Sequence, residues 1–381
     1  MANRPQNKRK QKTADAVFAP LLAIAIGVGL IFTAKPVLSH MSKSAAEQAE
    51  SSENSADPAV TAVTTTTETT TVTTTTTTRF PAAAGTTTET VTVDDTSLLI
   101  ARNAALIRVS ETGNTLIAGR NPDEAIYPAS LTKLMTLVTY LDLKGEPAPD
   151  ETVTMSGDVI AAQRARLAYV AGFQPGEQCK ITDLLYAMML PSGADAAVML
   201  AVHAAGSEEQ FVSEMNRLAS DMGLQQSVFY NCTGLNDERH FSSVQDIARV
   251  LQYACSSPLA KQILSTKKYT TAATPEHPEG IELVSTTLSR MVGNELEGLP
   301  VPLHVMGGKT GFTNPAGQCL ATWAEDASGQ MYICVVAGST TLEPLDAIGD
   351  TLTLYQLTSL PLAQIQRITV DEADLPDYEH N

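Results

Sequence analysis

Basic residues are scarce in this chain. Over 381 residues, Lys and Arg number 25 against 42 Asp and Glu, a formal net charge of -17. Nucleic-acid affinity comes from clustered Lys and Arg facing phosphates, so a uniformly basic nucleic-acid binder is excluded. Aromatics are also thin, at 5%, although 43% of the residues are apolar, ample for a core. The cysteines (Cys179, Cys232, Cys255, Cys319, Cys334) are too few and too scattered for a disulfide scaffold. Cys319 and Cys334 fall on neighbouring expected strands, either close together or as buried thiols. No Cys-x-x-Cys occurs, and His203, His240, His277 and His304 are dispersed with no His-Glu-x-x-His. Neither a zinc site nor any cofactor is implied.

What is present is unevenly spread. Residues 1–40 hold six basic residues against Asp15 alone. The basic head, residues 1–15, precedes a charge-free apolar run from Ala16 to Ala34. At about 20 residues such a run can cross a bilayer, and basic residues before it favour a cytoplasmic N-terminus. Residues 16–36 are therefore expected to be a transmembrane anchor or uncleaved signal, tying the chain to the cytoplasmic membrane through an N-terminal helix. The alternative is a cleaved signal peptide, with a shorter apolar region and a small-residue cleavage site that Lys35-Pro36-Val37-Leu38 matches poorly. On either reading the remainder is exported. Residues 37–95 are Ser, Ala, Glu and above all Thr, with runs at Thr73 to Thr78 and Thr86 to Thr88. They cannot bury enough apolar surface to offset chain entropy, so a disordered stalk is expected, spanning roughly 40 Å as a random coil.

The body, residues 96–362, has the size of one large domain or two interlocked subdomains. Two strands, Ala104 to Val109 and Thr115 to Ala118, flank the turn Glu111-Thr112-Gly113-Asn114. A helix begins near Ser130, with Leu131, Leu134, Met135, Val138 and Leu141 on one face. Further helices are expected at Ile181 to Leu190, Asp195 to Ala205, Phe211 to Met222 and Ser243 to Cys255. Three late strands, His304 to Thr313, Cys319 to Ala324 and Met331 to Ala337, follow. Strands, then helices, then strands argue for an α+β body rather than a repeating βαβ wind. Residues 363–381 read as an acidic tail.

Three short patterns carry chemistry. Ser130-Leu131-Thr132-Lys133 puts a hydroxyl and an amine on one helix face, three residues apart. A serine is a weak nucleophile until a base sits beside it, and a lysine serves once burial lowers its pKa. Free backbone N–H groups at a helix start can stabilise an oxyanion. Taken alone, Ser130 is equally a helix cap beside a surface lysine, and Ser265 to Lys268 repeats the spacing in a polar stretch. Lys309-Thr310-Gly311 ends a strand after Gly307-Gly308, where a cation and a hydroxyl could hold a carboxylate. The plain alternative is a surface lysine. Ser192, between two apolar helices, could relay a proton, or belong to a simple connection in which Asp195 caps the next helix.

Together, in this order, the three patterns resemble the penicillin-binding proteins and serine β-lactamases. More closely, the body resembles the D-alanyl-D-alanine carboxypeptidases, the low-molecular-mass penicillin-binding proteins of peptidase family S11. Tyr127 to Thr136, Met189 to Gly193, Gly234 to His240 and Gly308 to Thr313 with Ala316-Gly317 carry the likeness. It implies an antiparallel sheet flanked by helices, a helical subdomain, and a site at their junction. It implies that Ser130 attacks the carbonyl between two D-alanines, Lys133 takes its proton and Ser192 passes a proton to the leaving D-alanine. Lys309, Thr310, Gly311 and Thr313 would bind substrate. Backbone N–H groups of Ser130 and Phe312 would form the oxyanion hole. The implied partners are peptidoglycan stem peptides, with β-lactams as covalent inhibitors.

Two departures qualify this. The family's Ser-x-Asn is here Ser192-Gly193-Ala194, and an arginine that some relatives carry after the last core strand is replaced by Ser339-Thr340-Thr341. The first motivates an alternative, a catalytically weak or silent wall-binding protein on the same fold. A class A β-lactamase is disfavoured, because Cys232 stands where its Glu-x-x-Leu-Asn loop needs the acid. Relatives often end in a β-rich domain and an amphipathic anchor; here an anchor moved to the N-terminus is expected.

Overall fold

The computed structural model describes residues 90–95, 97–291, 296, 298–340 and 345–370. All belong to the second of the two units into which the chain divides, residues 75–381. The expected basic head, the apolar span 16–36 and most of the stalk lie outside the described residues. Among the described residues, no helix is long and apolar enough to cross a membrane.

The strands β1 (Val91–Thr92), β2 (Asn103–Arg108) and β3 (Thr115–Arg120) open the body. A single-turn 3-10 helix, Ala129–Leu131, leads into α1 (Thr132–Lys144), followed by β4 (Thr152–Thr154) and α2 (Gly157–Ala165). Next come β5 (Gln178–Lys180), α3 (Ile181–Met189), α4 (Ala194–Ala205), α5 (Glu208–Asp221), α6 (Val244–Cys255) and α7 (Pro258–Leu264). A small hairpin, β6 (Lys268–Thr270) with β7 (Glu282–Val284), precedes β8 (Leu303–Thr313), β9 (Gly317–Asp326), β10 (Met331–Ser339) and α8 (Asp346–Tyr355). The main sheet runs β1-β3-β2-β10-β9-β8. It is antiparallel except where β1 joins β3 in parallel. The α+β architecture expected from the element order is the observed one.

Both faces of this sheet are covered, which is why its strands read as nearly continuous apolar runs. Side chains alternate between the faces. Ala105, Ile107, Cys319, Ala321, Trp323 and Ile333 join the core shared with α1, α3, α4 and α6. Leu106, Leu320, Ala324, Cys334 and Val336 join a second core under α8. Cys319 and Cys334 thus point to opposite faces, and every cysteine is a free thiol. The helix α1 is buried on all sides from Thr132 to Tyr140, so it is the axis of the helical part rather than a one-faced surface helix.

Both ends of the body extend past their expected limits. Within the stretch assigned to the stalk, β1 pairs with β3, and Val93 is buried with its carbonyl accepting from Arg120 Nε at 2.7 Å. Within the stretch assigned to the acidic tail, Ile365 and Val370 are buried, and Arg367 pairs with Asp350 at 2.7 Å. A two-residue strand and a single buried ion pair leave no periodic signal in sequence. The helices α2 and α7, not expected from the sequence, left cap signals: Ser156 and Ser257 accept from Val159 N and Ala260 N, and Pro258 occupies the first turn of α7.

Candidate active site

Between the edge strand β8 and the helical part lies a cleft of about 630 Å³. Its lining brings together Ser130, Lys133, Ser192, Thr310, Gly311, Phe312 and Thr313, residues spread over more than 180 positions of sequence. Lys309 lies behind this wall, fully buried.

Ser130 occupies the 3-10 turn before α1, after Ala129 at φ +47°. Gly234, at φ +81°, lies against it so closely that a Cβ there would stand 1.9 Å from the Ala129 carbonyl oxygen. Only glycine fits that approach. One turn on, Lys133 Nζ donates to Ser130 Oγ at 3.2 Å and to the Thr233 carbonyl at 2.7 Å. Burial pushes the Lys133 amine down to about 8, against weaker support from Cys232 and Asp195. Between them, Thr132 Oγ1 faces His240 Nε2 at 2.9 Å, while Tyr230 N donates to Nδ1. That second bond leaves the proton on Nε2, which donates to the threonine. Burial pushes His240 down to about 4, so the imidazole stays neutral.

The opposite wall is the end of β8. Lys309 Nζ donates to the Thr310 carbonyl at 2.9 Å. Its pKa lies well below that of an ordinary lysine, first through burial and then through the nearby charges of Lys133 and Arg290. The Thr310 hydroxyl meets Thr286 Oγ1 at 2.7 Å, and Thr286 also donates to the Leu190 carbonyl. This threonine pair ties β8 to the end of α3, and so to the loop carrying Ser192. Thr313 Oγ1 accepts from Ala316 N, and Phe312 stands 44% exposed on the cleft.

Ser192 has φ +71°, and its buried Oγ has no hydrogen-bond partner. Strain and an unmet donor together mark a position held for something other than stability. Asp195, the alternative cap, sits in the first turn of α4, whose N-cap is Gly193; its buried carboxylate accepts from Ala171 N at 3.0 Å, and burial raises its pKa. Beside it, Ala194 N donates to the Tyr169 carbonyl at 2.8 Å. The segment 166–171 is thereby stapled to the Ser192 loop.

Several residues of the cleft carry no sequence pattern, namely Thr233, Arg166, Leu167, Tyr169 and Arg290, and neither does Thr286 behind Thr310. Arg290 takes a place near Lys309 that the sequence assigned to no residue once the arginine after the last strand was missing.

The family model for D-alanyl-D-alanine carboxypeptidase, Peptidase_S11, matches residues 88–341. The D-alanyl-D-alanine carboxypeptidase DacF of Bacillus subtilis is 32% identical over 247 residues, covering 63% of this chain and 58% of the relative. The D-alanyl-D-alanine endopeptidase of Pseudomonas aeruginosa is 31% identical over 222 residues, covering 58% of this chain and 66% of the relative. The chain thus spans less than two thirds of the length of these relatives. Among solved structures, the Streptomyces K15 DD-transpeptidase superposes with a TM-score of 0.58 at 23% identity, covering 68% of this chain and 98% of its own. Penicillin-binding protein 5 of Haemophilus influenzae gives 0.57 at 26%, covering 68% and 70%. With the match extending over most of the described body and the four signature blocks gathered at one cleft, the chain belongs to the Peptidase_S11 family of D-alanyl-D-alanine carboxypeptidases.

Proposed function

We propose that the protein is a penicillin-binding serine carboxypeptidase that removes the terminal D-alanine from peptidoglycan stem pentapeptides. The observation that carries this reading is the 3.2 Å contact between Ser130 Oγ and an amine whose pKa burial has lowered to about 8. A neutral Lys133 takes the serine proton as Ser130 attacks the carbonyl between the two D-alanines. Backbone N–H groups of Ser130 and Phe312 receive the oxyanion, where removing one donor typically costs about 2.7–4 kcal/mol of barrier. Ser192 passes the proton to the leaving amine. Lys309, Thr310 and Thr313, with Arg290 nearby, hold the terminal carboxylate. That carboxylate restores the Lys309 charge, which burial and its cationic neighbours disfavour in the free enzyme. Water then hydrolyses the acyl-enzyme, and β-lactams acylate the same serine. The N-terminal span holds the catalytic body at the outer face of the cytoplasmic membrane.

Labelling with a fluorescent penicillin tests the chemistry. The wild type is expected to label and Ser130→Ala to remain dark, with a fall of about 10⁴ or more in D-alanine release from a pentapeptide. An unlabelled wild type, or a labelled Ser130→Ala, would sink the mechanism. Labelling without D-alanine release would favour the wall-binding alternative that Ala194 suggests.

A further inference from the structure

Large apolar side chains are seldom exposed in this body, yet three of the seven among the described residues, Leu167, Tyr169 and Phe312, line the one cleft. Leu167 is 94% exposed and has φ +58°. It follows α2 at the position where helices commonly end on glycine. Leu167 N donates to the Arg164 carbonyl and Ala168 N to the Gln163 carbonyl, the paired bonds of a left-handed helix terminus. A leucine there is strained as well as solvated, whereas glycine would adopt the same backbone freely. Nor is the segment a frayed end, since Tyr169 and Ala171 are bonded to the Ser192 loop.

Charge adds a second, independent observation. The body is rich in carboxylates, but among the described residues none lines this cleft, whose charged residues are Lys133, Arg166 and Arg290. Arg290 lies towards Lys309, at the end assigned to the terminal carboxylate. Arg166 adjoins Leu167 on the Ser192 wall, is exposed, and makes no ion pair among the described residues. A lone arginine beside an apolar shelf fits a side chain with an aliphatic stem and an anionic end.

We propose that Arg166, Leu167 and Tyr169 form a specificity subsite for the acyl portion of the substrate. The subsite selects stem peptides whose third residue has a long aliphatic side chain ending in a free carboxylate, as in diaminopimelic acid. It disfavours a side chain ending in an ammonium alone, as in lysine. The stem packs on Leu167 and Tyr169, the distal carboxylate pairs with Arg166, and a lysine ammonium is repelled by the same cation. This inference rests on the carboxypeptidase reading and names the substrate class of that site.

The test uses the full chain and two synthetic pentapeptides that differ only in the third residue, diaminopimelic acid or lysine, with D-alanine release as readout. The wild type is expected to favour the diaminopimelyl peptide by about tenfold in kcat/KM, the scale of one charge-assisted contact. Arg166→Gln removes that preference, lowering the diaminopimelyl rate and raising the lysyl rate. Leu167→Gly is expected to raise Tm by about 2–4 °C, through relief of the left-handed strain, yet to weaken the diaminopimelyl peptide through KM. Equal wild-type rates on the two peptides, or an equal loss on both in Arg166→Gln, would overturn the proposal. Failure of the carboxypeptidase reading looks different: neither peptide releases D-alanine, and penicillin does not label Ser130.

Discussion

Under α8, on the sheet face away from the cleft, the fully buried carboxylate of Asp350 accepts from Ala101 N at 2.6 Å, Ile100 N at 3.0 Å and Arg367 Nη1 at 2.7 Å. At the cleft, the equally buried amines of Lys133 and Lys309 have no carboxylate in hydrogen-bond contact among the described residues and donate to backbone carbonyls and a serine. One buried charge is neutralised and saturated, as structural ions are. The other two are held with their pKa values lowered. Backbone strain divides in the same way. Of the non-glycine residues with positive φ among the described ones, Ala129, Leu167 and Ser192 border the cleft, and only Asn121 lies elsewhere. The contrast teaches where stability has been given up: around the groups to which the proposed mechanism assigns proton exchange and ligand contact.

Opposite substitutions break this comparison most strongly. Asp350→Ala leaves Arg367 and two backbone donors without their acceptor and is expected to lose about 3–5 kcal/mol in urea unfolding. The folded fraction should still take up penicillin. Lys133→Met should abolish acylation yet stabilise the fold. A folded-state pKa near 8 against an ordinary 10.5 corresponds to about 3 kcal/mol of burial cost, partly offset by the Thr233 carbonyl that loses its donor. The sign follows from proton binding. Below about pH 8 the lysine is protonated in both states and the full cost is present. Between about 8 and 10.5 the unfolded chain binds more protons, so wild-type stability rises and the advantage of Lys133→Met shrinks. A destabilised Lys133→Met at pH 7 would place Lys133 with Asp350 rather than apart from it.

Acylation should show the same titration from the other side. Only the neutral amine can accept the Ser130 proton, so the rate of penicillin labelling is expected to rise with pH and level off above about 8. A rate flat from about pH 6 to 9 would separate Lys133 from proton transfer. The smallest expected effect belongs to Ala194, which presents no hydrogen-bonding group to the cleft. Ala194→Asn should raise kcat/KM on a pentapeptide by roughly fivefold, the worth of one neutral hydrogen bond. An unchanged rate would mean that the acyl portion is already held by other groups.

The helices α1, α3, α4, α5 and α6 and the late strands were legible from their apolar positions, whereas α2, α7 and α8 were not read from the sequence. The hairpin at Asp326 closes through its turn chemistry, with Asp326 Oδ1 accepting from Ser328 N and Gly329 at φ +81°. The ends of the body were not. Val93 and Arg367 are fixed by partners far away in sequence, Arg120 and Asp350. Asp195 reads in sequence as a helix cap because it begins a helix after a loop, and only folding brought the Ala171 N–H to its carboxylate.

The sequence by itself determined the chemical groups and their local spacing: a serine and a lysine one helical turn apart, a strand ending in Lys309-Thr310-Gly311, a serine between two helices, and an acidic composition with a basic start. Local spacing suffices there because a helical turn or a strand fixes geometry over three or four residues. The tertiary structure decided what those groups are worth. Burial lowered the pKa values of Lys133 and Lys309, Thr233 and Thr286 locked the amine and the strand in place, and Arg166 and Arg290 came to one cleft that no carboxylate among the described residues lines. Desolvation and long-range charge depend on every element packed around a group, and no short stretch of chain contains them.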